Sequence, residues 1–192
     1  MKKRLVGLVV TIVSFSPGLL SAQTYHRLTQ ADFAAIPVAD NAFAAYTNCY
    51  VSYSYNPVRH NGNYIIDFNV RVQVNAAKSW IRFDLMKNRE MLSSVLRHEQ
   101  GHYNIAYLMR NELYAAFTRR HYTSNYQAEI VAVFKDIESK YHKINDDYEY
   151  QTQHMSNVNN QQQWDAWFSK QLDNAELAGN AVNNGGKAYY RY

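Results

Sequence analysis

The pattern that most restricts the fold is a change of hydrophobic period within a few dozen residues. From Tyr64 to Asn75, Tyr64, Ile66, Phe68, Val70, Val72 and Val74 alternate with Ile65, Asp67, Asn69, Arg71 and Gln73. A period of two is that of a strand with one apolar face and one mostly wet face. From Met91 to Arg119 the period becomes helical. At about 100° per residue, Met91, His98, His102, Ile105 and Met109 share one narrow sector, flanked by Val95, Ala106 and Leu113. A one-faced sheet and a one-faced helix each need a cover, and each can supply the other's. The expected class is α+β, a small antiparallel sheet packed on a central helix with two further helices.

The remaining elements follow from the same signals. Tyr50 to Asn56 reads as a first strand, and Asn61-Gly62 between the two strands is a two-residue hairpin turn, because both residues tolerate positive φ. Pro57 predicts that the first strand frays or lies at an edge. Ser79 to Phe83 reads as a third short strand. A second amphipathic helix is expected from about Ser124 to Ile144, carrying Ile130, Val133, Phe134, Ile137 and Tyr141. Asn145 to Gln163, crowded with Asn and Gln, reads as irregular. Trp164, Trp167, Phe168 and Leu172 return to helical spacing, and 179–192 reads as a flexible tail.

The chain of 192 residues opens with Lys2, Lys3 and Arg4, an apolar run from Leu5 to Phe15, a Ser16-Pro17 break and small residues at Ser21-Ala22. This is the layout of a secretory signal peptide over 1–22, which predicts an exported protein, periplasmic or extracellular. The run is short for a membrane span, and no later segment is long and apolar enough for one, so no stable span is expected after cleavage. Of the 20 Lys and Arg, three lie in this leader, leaving 17 against 16 acidic residues. A net charge near +1 with no Lys/Arg stripe argues against a nucleic-acid partner. Cys49 is the only cysteine, so no internal disulfide is possible, and 23–178 is long enough to form one domain around an ordinary core. Cys49 lies in a strand-like run with no histidine nearby, which favours a small apolar role over that of a nucleophile.

The chemistry concentrates in His98-Glu99-Gln100-Gly101-His102. Two imidazoles four residues apart on a helix point the same way, one turn apart, and can reach a single Zn2+, while the Glu after the first can serve as general base. This HExxH pattern is the helix of the zincin type and points to a metallohydrolase; the competing reading is a pair of hydrogen-bonded core histidines. Gly101 costs about 1 kcal/mol relative to Ala in such a helix. Its use would be to let a strand or a substrate backbone pass closely. A catalytic zinc takes a third protein ligand, and the residue six beyond the second His is Leu108, which excludes the metzincin solution. His121, Glu129, Glu138, Glu149 and His154 remain as candidates.

The order of several segments carries a resemblance over nearly the whole chain after the leader. These are Leu28-Thr29-Gln30-Ala31-Asp32-Phe33, Phe43-Ala44-Ala45-Tyr46-Thr47, Lys78-Ser79-Trp80, Arg97 to His102, Tyr148-Glu149-Tyr150-Gln151-Thr152-Gln153-His154, and Gln161 to Trp164. Together they resemble a family of bacterial secreted proteins, domain of unknown function 922, described as predicted zinc-dependent proteases. Gln30 stands where the family commonly has Trp, and Glu149 where it commonly has Asp. The resemblance implies a zinc-dependent metallopeptidase acting on a peptide or protein substrate. Within the Tyr148 to His154 segment, His154 is the preferred third ligand because neutral imidazole is a common zinc donor. Glu149 is the alternative, as third ligand or as a group orienting a ligand imidazole. Tyr148 or Tyr150 would donate to a developing oxyanion or, with 17 tyrosines in the chain, simply pack. Zinc held by His98, His102 and His154 would acidify a water, Glu99 would take its proton, and the water would attack an amide carbonyl of a substrate lying along an exposed sheet edge. The alternative function is a non-catalytic, zinc-containing secreted binding module.

Overall fold

A computed structural model of the chain describes residues 23–37, 43–60 and 63–184; the leader call, the Asn61-Gly62 turn and residues 185–192 lie outside the described residues. The architecture is α+β. Two antiparallel pairs of strands, β1 (Ala45–Tyr46) with β4 (Trp80–Ile81) and β2 (Cys49–His60) with β3 (Asn63–Val74), are followed by three long helices: α1 (Arg89–Thr118), α2 (Tyr126–Thr152) and α3 (Val158–Asn184). Short 3-10 turns at Gln30–Asp32, Ala76–Lys78 and Phe83–Leu85 join the pieces.

The β2–β3 ribbon pairs in one unbroken register from Cys49↔Val74 to His60↔Asn63. Val51, Tyr53 and Tyr55 thereby stand opposite Val72, Val70 and Phe68 on the inner face. Phe68, Val70 and Val72 are buried, whereas Asp67, Arg71 and Gln73 are exposed, as the alternation predicts. Burying each such apolar side chain stabilises the fold by roughly 1.5–3 kcal/mol.

Asn75 donates its amide to the Asn48 carbonyl at 2.8 Å, so the ladder bonds fall on the even-numbered residues of β2 and the odd-numbered ones of β3. Pro57, an odd position, places its missing N–H on the outer edge. This is why β2 does not stop near Asn56, as expected from the sequence, but runs through Pro57 to His60. The expected third strand does form at Trp80–Ile81, but it pairs with Ala45–Tyr46 rather than joining the ribbon.

Helix α1 lies at the centre, packed against β1, β2, β3, α2 and α3. Asn88 caps it, its side-chain oxygen accepting from the Met91 amide at 2.8 Å, and Glu90 in the first turn suits the positive end of the helix dipole. Val95, His98, Ile105 and Leu113 are buried on its inner stripe, and Phe117 continues it. In α2 the stripe Ile130, Phe134, Ile137 and Tyr141 does not end at Ile144: Tyr148 and Thr152 extend it by two turns, both fully buried. The stretch read as irregular is therefore helical at both ends, with only residues 153–157 between α2 and α3. One apolar residue per turn is enough to hold a helix on a core, and the Asn, Asp and Gln residues between these anchors occupy the other faces. No helix among the described residues is long and apolar enough to cross a membrane.

Candidate metal centre

His98 and His102 stand one turn apart on the buried side of α1, with ring centroids 5.1 Å apart and planes perpendicular. Facing them from α2 is Glu149. Its Oε1 lies 2.9 Å from His102 Nε2 and its Oε2 3.7 Å from His98 Nε2. One ligand atom from each of the three residues falls within 4.8 Å of the others, the spacing of donors that hold one metal ion.

The far nitrogens of both rings are fixed. His102 Nδ1 donates to Asn145 Oδ1 at 2.8 Å, and His98 Nδ1 donates to Gln161 Oε1 at 3.2 Å. With each Nδ1 committed to an amide oxygen, Nε2 is the nitrogen that each ring turns toward Glu149, able to donate a proton to the carboxylate or, once deprotonated, a lone pair to a metal. This is the arrangement that orients ligating histidines in metal sites, here with amide oxygens as the acceptors. Asn145 and Glu149 are themselves four apart on α2, so one face of that helix serves both the near and the far side of His102.

A deeper layer holds His98. Tyr148 is fully buried and stacks on the imidazole, centroids 4.9 Å apart and planes 15° from parallel. Its hydroxyl donates to the His98 carbonyl at 2.8 Å and accepts from Gln161 Nε2 at 3.0 Å. Gln161 Nε2 also donates to Asp165, which pairs with Arg97 on α1. Gly101 makes this possible. A Cβ there would lie 2.8 Å from Tyr148 Cε1 and closer still to the hydroxyl. The close approach is thus by an aromatic ring of α2, and not by the strand or substrate backbone expected from the sequence.

Glu99 is also buried, and the Thr47 hydroxyl, in the bend between β1 and β2, donates to its Oε2 at 2.6 Å. Two carboxylates therefore act on His102. Burial opposes charge on His102, but the hydrogen bond it donates to Glu149 and the negative charges of Glu99 and Glu149 outweigh it and raise its pKa to about 9. Burial likewise works against an ionised Glu149, but His102 and His98 hold its carboxyl far below the usual range. The site attracts positive charge, and without a metal a proton occupies His102.

His154 lies one step outward. It is about half exposed, its ring lies 4.6 Å from that of Phe43 at a tilt of 57°, and its Nδ1 is 2.5 Å from Glu149 Oε2. The structure brings Glu149 into the group of three and leaves His154 behind it. His154 sits past the end of α2 in a run of three left-handed residues, Gln153, His154 and Met155, with φ of 49°, 52° and 75°. That run turns the chain away while Glu149, still helical, points at α1. Of the other candidates, His121 is exposed after α1, Glu129 caps Thr123 at the start of α2, and Glu138 lies about three turns before Glu149 beside His142. Tyr150 is 84% exposed. Cys49 turns its thiol to the His102 carbonyl at 3.6 Å, and burial pushes that thiol up to about 12, which suits packing and not nucleophilic attack.

The residues present fit a zinc ion on their own terms. Two neutral imidazoles and a carboxylate form a donor set used by catalytic zinc sites. In addition, Glu149 Oε2 is buried without a hydrogen bond of good geometry despite its two imidazole neighbours, which leaves a lone pair for a cation. Thr47, Asn145 and Gln161 were not singled out in the sequence. Asn145 and Glu149 carry a legible signal, the same four-residue spacing as His98 and His102, whereas Thr47 and Gln161 enter only as members of segments that carry the family resemblance.

The chain matches the model of a family described as bacterial proteins of unknown function (DUF922) over residues 20–155. The chain belongs to this family. The matched span includes His98, Glu99, His102, Glu149 and His154 and ends before Gln161, so the member's α3, which holds His98 in place, lies beyond it. No match to the chain appears among curated proteins or among solved structures.

Proposed function

We propose that this family member is an exported zinc-dependent metallopeptidase in which His98, His102 and Glu149 hold the ion and Glu99 is the general base. The carrying observation is the convergence of the two Nε2 atoms and the Glu149 carboxylate, with both Nδ1 atoms already hydrogen-bonded. The site is also of the zincin type in having its base on the helix that supplies two of the donors. When bound, zinc supplies Lewis acidity, polarising an amide carbonyl and making water a better nucleophile. Glu99 takes the proton from the attacking water and returns it to the leaving amine. Thr47 holds Glu99 by one oxygen and leaves the other for this transfer. Tyr148 and Gln161 keep the His98 ring from turning, and Asn145 does the same for His102. Export is supported by the basic and then apolar pattern of residues 2–15, and a peptide or protein is the substrate.

The test pairs elemental analysis with cleavage. Full-length protein matured by its host should contain one zinc per chain and cleave an unfolded protein, with loss of cleavage on chelation and in Glu99→Gln. Stoichiometric zinc without cleavage would point instead to a metal-containing binding module. Absence of zinc after exposure to excess Zn2+ would remove the basis of the proposal.

A further inference from the structure

Gln161, in the first turn of α3, serves three neighbours with one buried carboxamide. Its Oε1 accepts from His98 Nδ1 at 3.2 Å, and its Nε2 donates to the Tyr148 hydroxyl at 3.0 Å and to Asp165 Oδ1 at 2.9 Å. An amide carries its hydrogens on nitrogen and only lone pairs on oxygen, so the way round it sits dictates what each neighbour must be. Turned over, Nε2 would aim a hydrogen at His98 Nδ1. A neutral imidazole would then carry its proton on Nε2, the nitrogen that faces Glu149, and could not offer that nitrogen to a metal.

One of the three neighbours decides the orientation. The Tyr148 hydroxyl lies 3.0 Å from Nε2 and 3.2 Å from Oε1, and a hydroxyl can donate or accept, so it does not tell the two ends apart. His98 does not either, because an imidazole can carry its proton on either nitrogen. Asp165 does. An ionised carboxylate only accepts, and an amide oxygen set against it would leave two acceptors facing each other beside a buried group. Asp165 stands four residues after Gln161, one turn along the same face of α3, and its other oxygen pairs with Arg97, the neighbour of His98 on α1. Both partners of that ion pair are partly exposed, so its contribution to stability is small.

We infer that Asp165 is a positioning residue: its carboxylate sets the Gln161 amide with the oxygen toward His98, and so fixes the tautomer that keeps His98 Nε2 free for the ion. It acts on the imidazole only through Gln161. This rests on the zinc part of the proposed function and not on cleavage. The device lies on α3, past the end of the family match at residue 155.

Two readouts on the full chain separate orientation of the amide from simple clamping of α3 by Arg97. The first is zinc affinity by competition with a chromophoric chelator. The second is long-range 1H–15N NMR of the His98 ring in metal-free protein in mildly alkaline buffer, with His102 as internal control. Asp165→Asn offers either end of an amide to Gln161, so it should weaken zinc about tenfold and bring up the Nε2–H form of His98 alone. Arg97→Gln removes the clamp and keeps the carboxylate, so affinity should stay within about threefold of the parent with the tautomer unchanged. Gln161→Glu sets two carboxylates against each other and should weaken zinc. Combining it with Asp165→Asn should recover most of the loss, because the introduced amide donates to the introduced carboxylate, whose other oxygen accepts from His98 Nδ1. An unchanged His98 tautomer with parental zinc affinity in Asp165→Asn overturns the inference and leaves the zinc site standing. Equal losses in Asp165→Asn and Arg97→Gln, with no recovery in the double variant, overturn it in favour of clamping. A parent chain that takes up no zinc but shows the tautomer change in Asp165→Asn upholds the orienting role and removes the zinc reading. The Asp165→Asn spectrum decides the matter even if Gln161→Glu fails to fold.

Discussion

Gly101→Ala distinguishes a glycine that merely weakens a helix from one that makes room for the site. If Gly101 were an ordinary interior glycine, alanine would stabilise α1 by about 1 kcal/mol. The structure reverses the sign. The new Cβ would fall 2.8 Å from Cε1 of Tyr148 and nearer still to the ring's hydroxyl end. That ring is fully buried between His98 and the edges of Trp164 and Phe168, so it has no empty side to move into. Overpacking of this kind costs about 1–3 kcal/mol, and the upper end applies because ring atoms are struck. Displacing the hydroxyl also weakens its bonds to the His98 carbonyl and Gln161, each worth about 1 kcal/mol. Against the propensity gain, the net is a destabilisation of about 2–3 kcal/mol. For a chain of this length that lowers Tm by roughly 5–10 °C.

The assay is urea or thermal unfolding of the metal-free protein, followed by zinc competition against a chromophoric chelator. Zinc affinity should fall as well, because the ring that stacks on His98 is the one displaced. Tyr148→Phe removes the atom closest to the new methyl, so Gly101→Ala should cost about 1 kcal/mol less in that background. A Gly101→Ala protein as stable as the parent, or more so, with unchanged zinc affinity would refute the close packing of α1 on α2 at the centre.

Three further outcomes follow from the same geometry. Glu149→Ala should weaken zinc binding more than 100-fold, and His154→Ala by less than tenfold; the reverse order, measured by competition titration, would restore His154 as the third donor. Asn145→Ala and Gln161→Ala should each lower zinc affinity about 10–100-fold without changing the number of ions bound. In chelator, the His102–Glu149 pair should stabilise the fold most between pH 4.5 and 6.5. A raised His102 pKa contributes fully below 6.5 and is lost as pH rises through about 9, while a depressed Glu149 contributes above 4.5 and is lost as pH falls. Urea unfolding across pH should show the alkaline decline, and His102→Gln should flatten it.

How much of this could be read from the chain depended on whether a signal was local. The alternation from Tyr64 to Val74 and the stripe through His98 and His102 are local, and strand, helix, buried face and the two imidazoles all lie where those patterns put them. The end of α2 was hidden because its anchors, Tyr148 and Thr152, are separated by residues whose composition suggests a loop, and only packing against α1 and α3 shows that they point inward. The partnership of Gly101 with Tyr148 joins residues 47 apart in sequence. Thr47 reaches Glu99 across 52 residues and Gln161 reaches His98 across 63, each through a single side chain with no periodic neighbours.

The choice between Glu149 and His154 turns on backbone as much as on donor chemistry. A metal site must hold its donors in place to a fraction of an ångström, so ligands on packed helices are better placed than ligands on turns. Glu149 sits in a regular turn of α2, next to the buried Tyr148 and four residues from Asn145, which is tied to His102. His154 sits amid three non-glycine residues at positive φ, each costing roughly 1–2 kcal/mol. Such a turn persists because the segments on either side are held, Thr152 by its bond to the Tyr148 carbonyl and Asn157 by its amide bond to the Thr152 carbonyl. It brings the His154 ring onto Glu149 from the solvent side, with Nδ1 2.5 Å from Oε2. The imidazole preferred from donor chemistry alone therefore stands behind Glu149, and the carboxylate read as its alternative faces the two histidines.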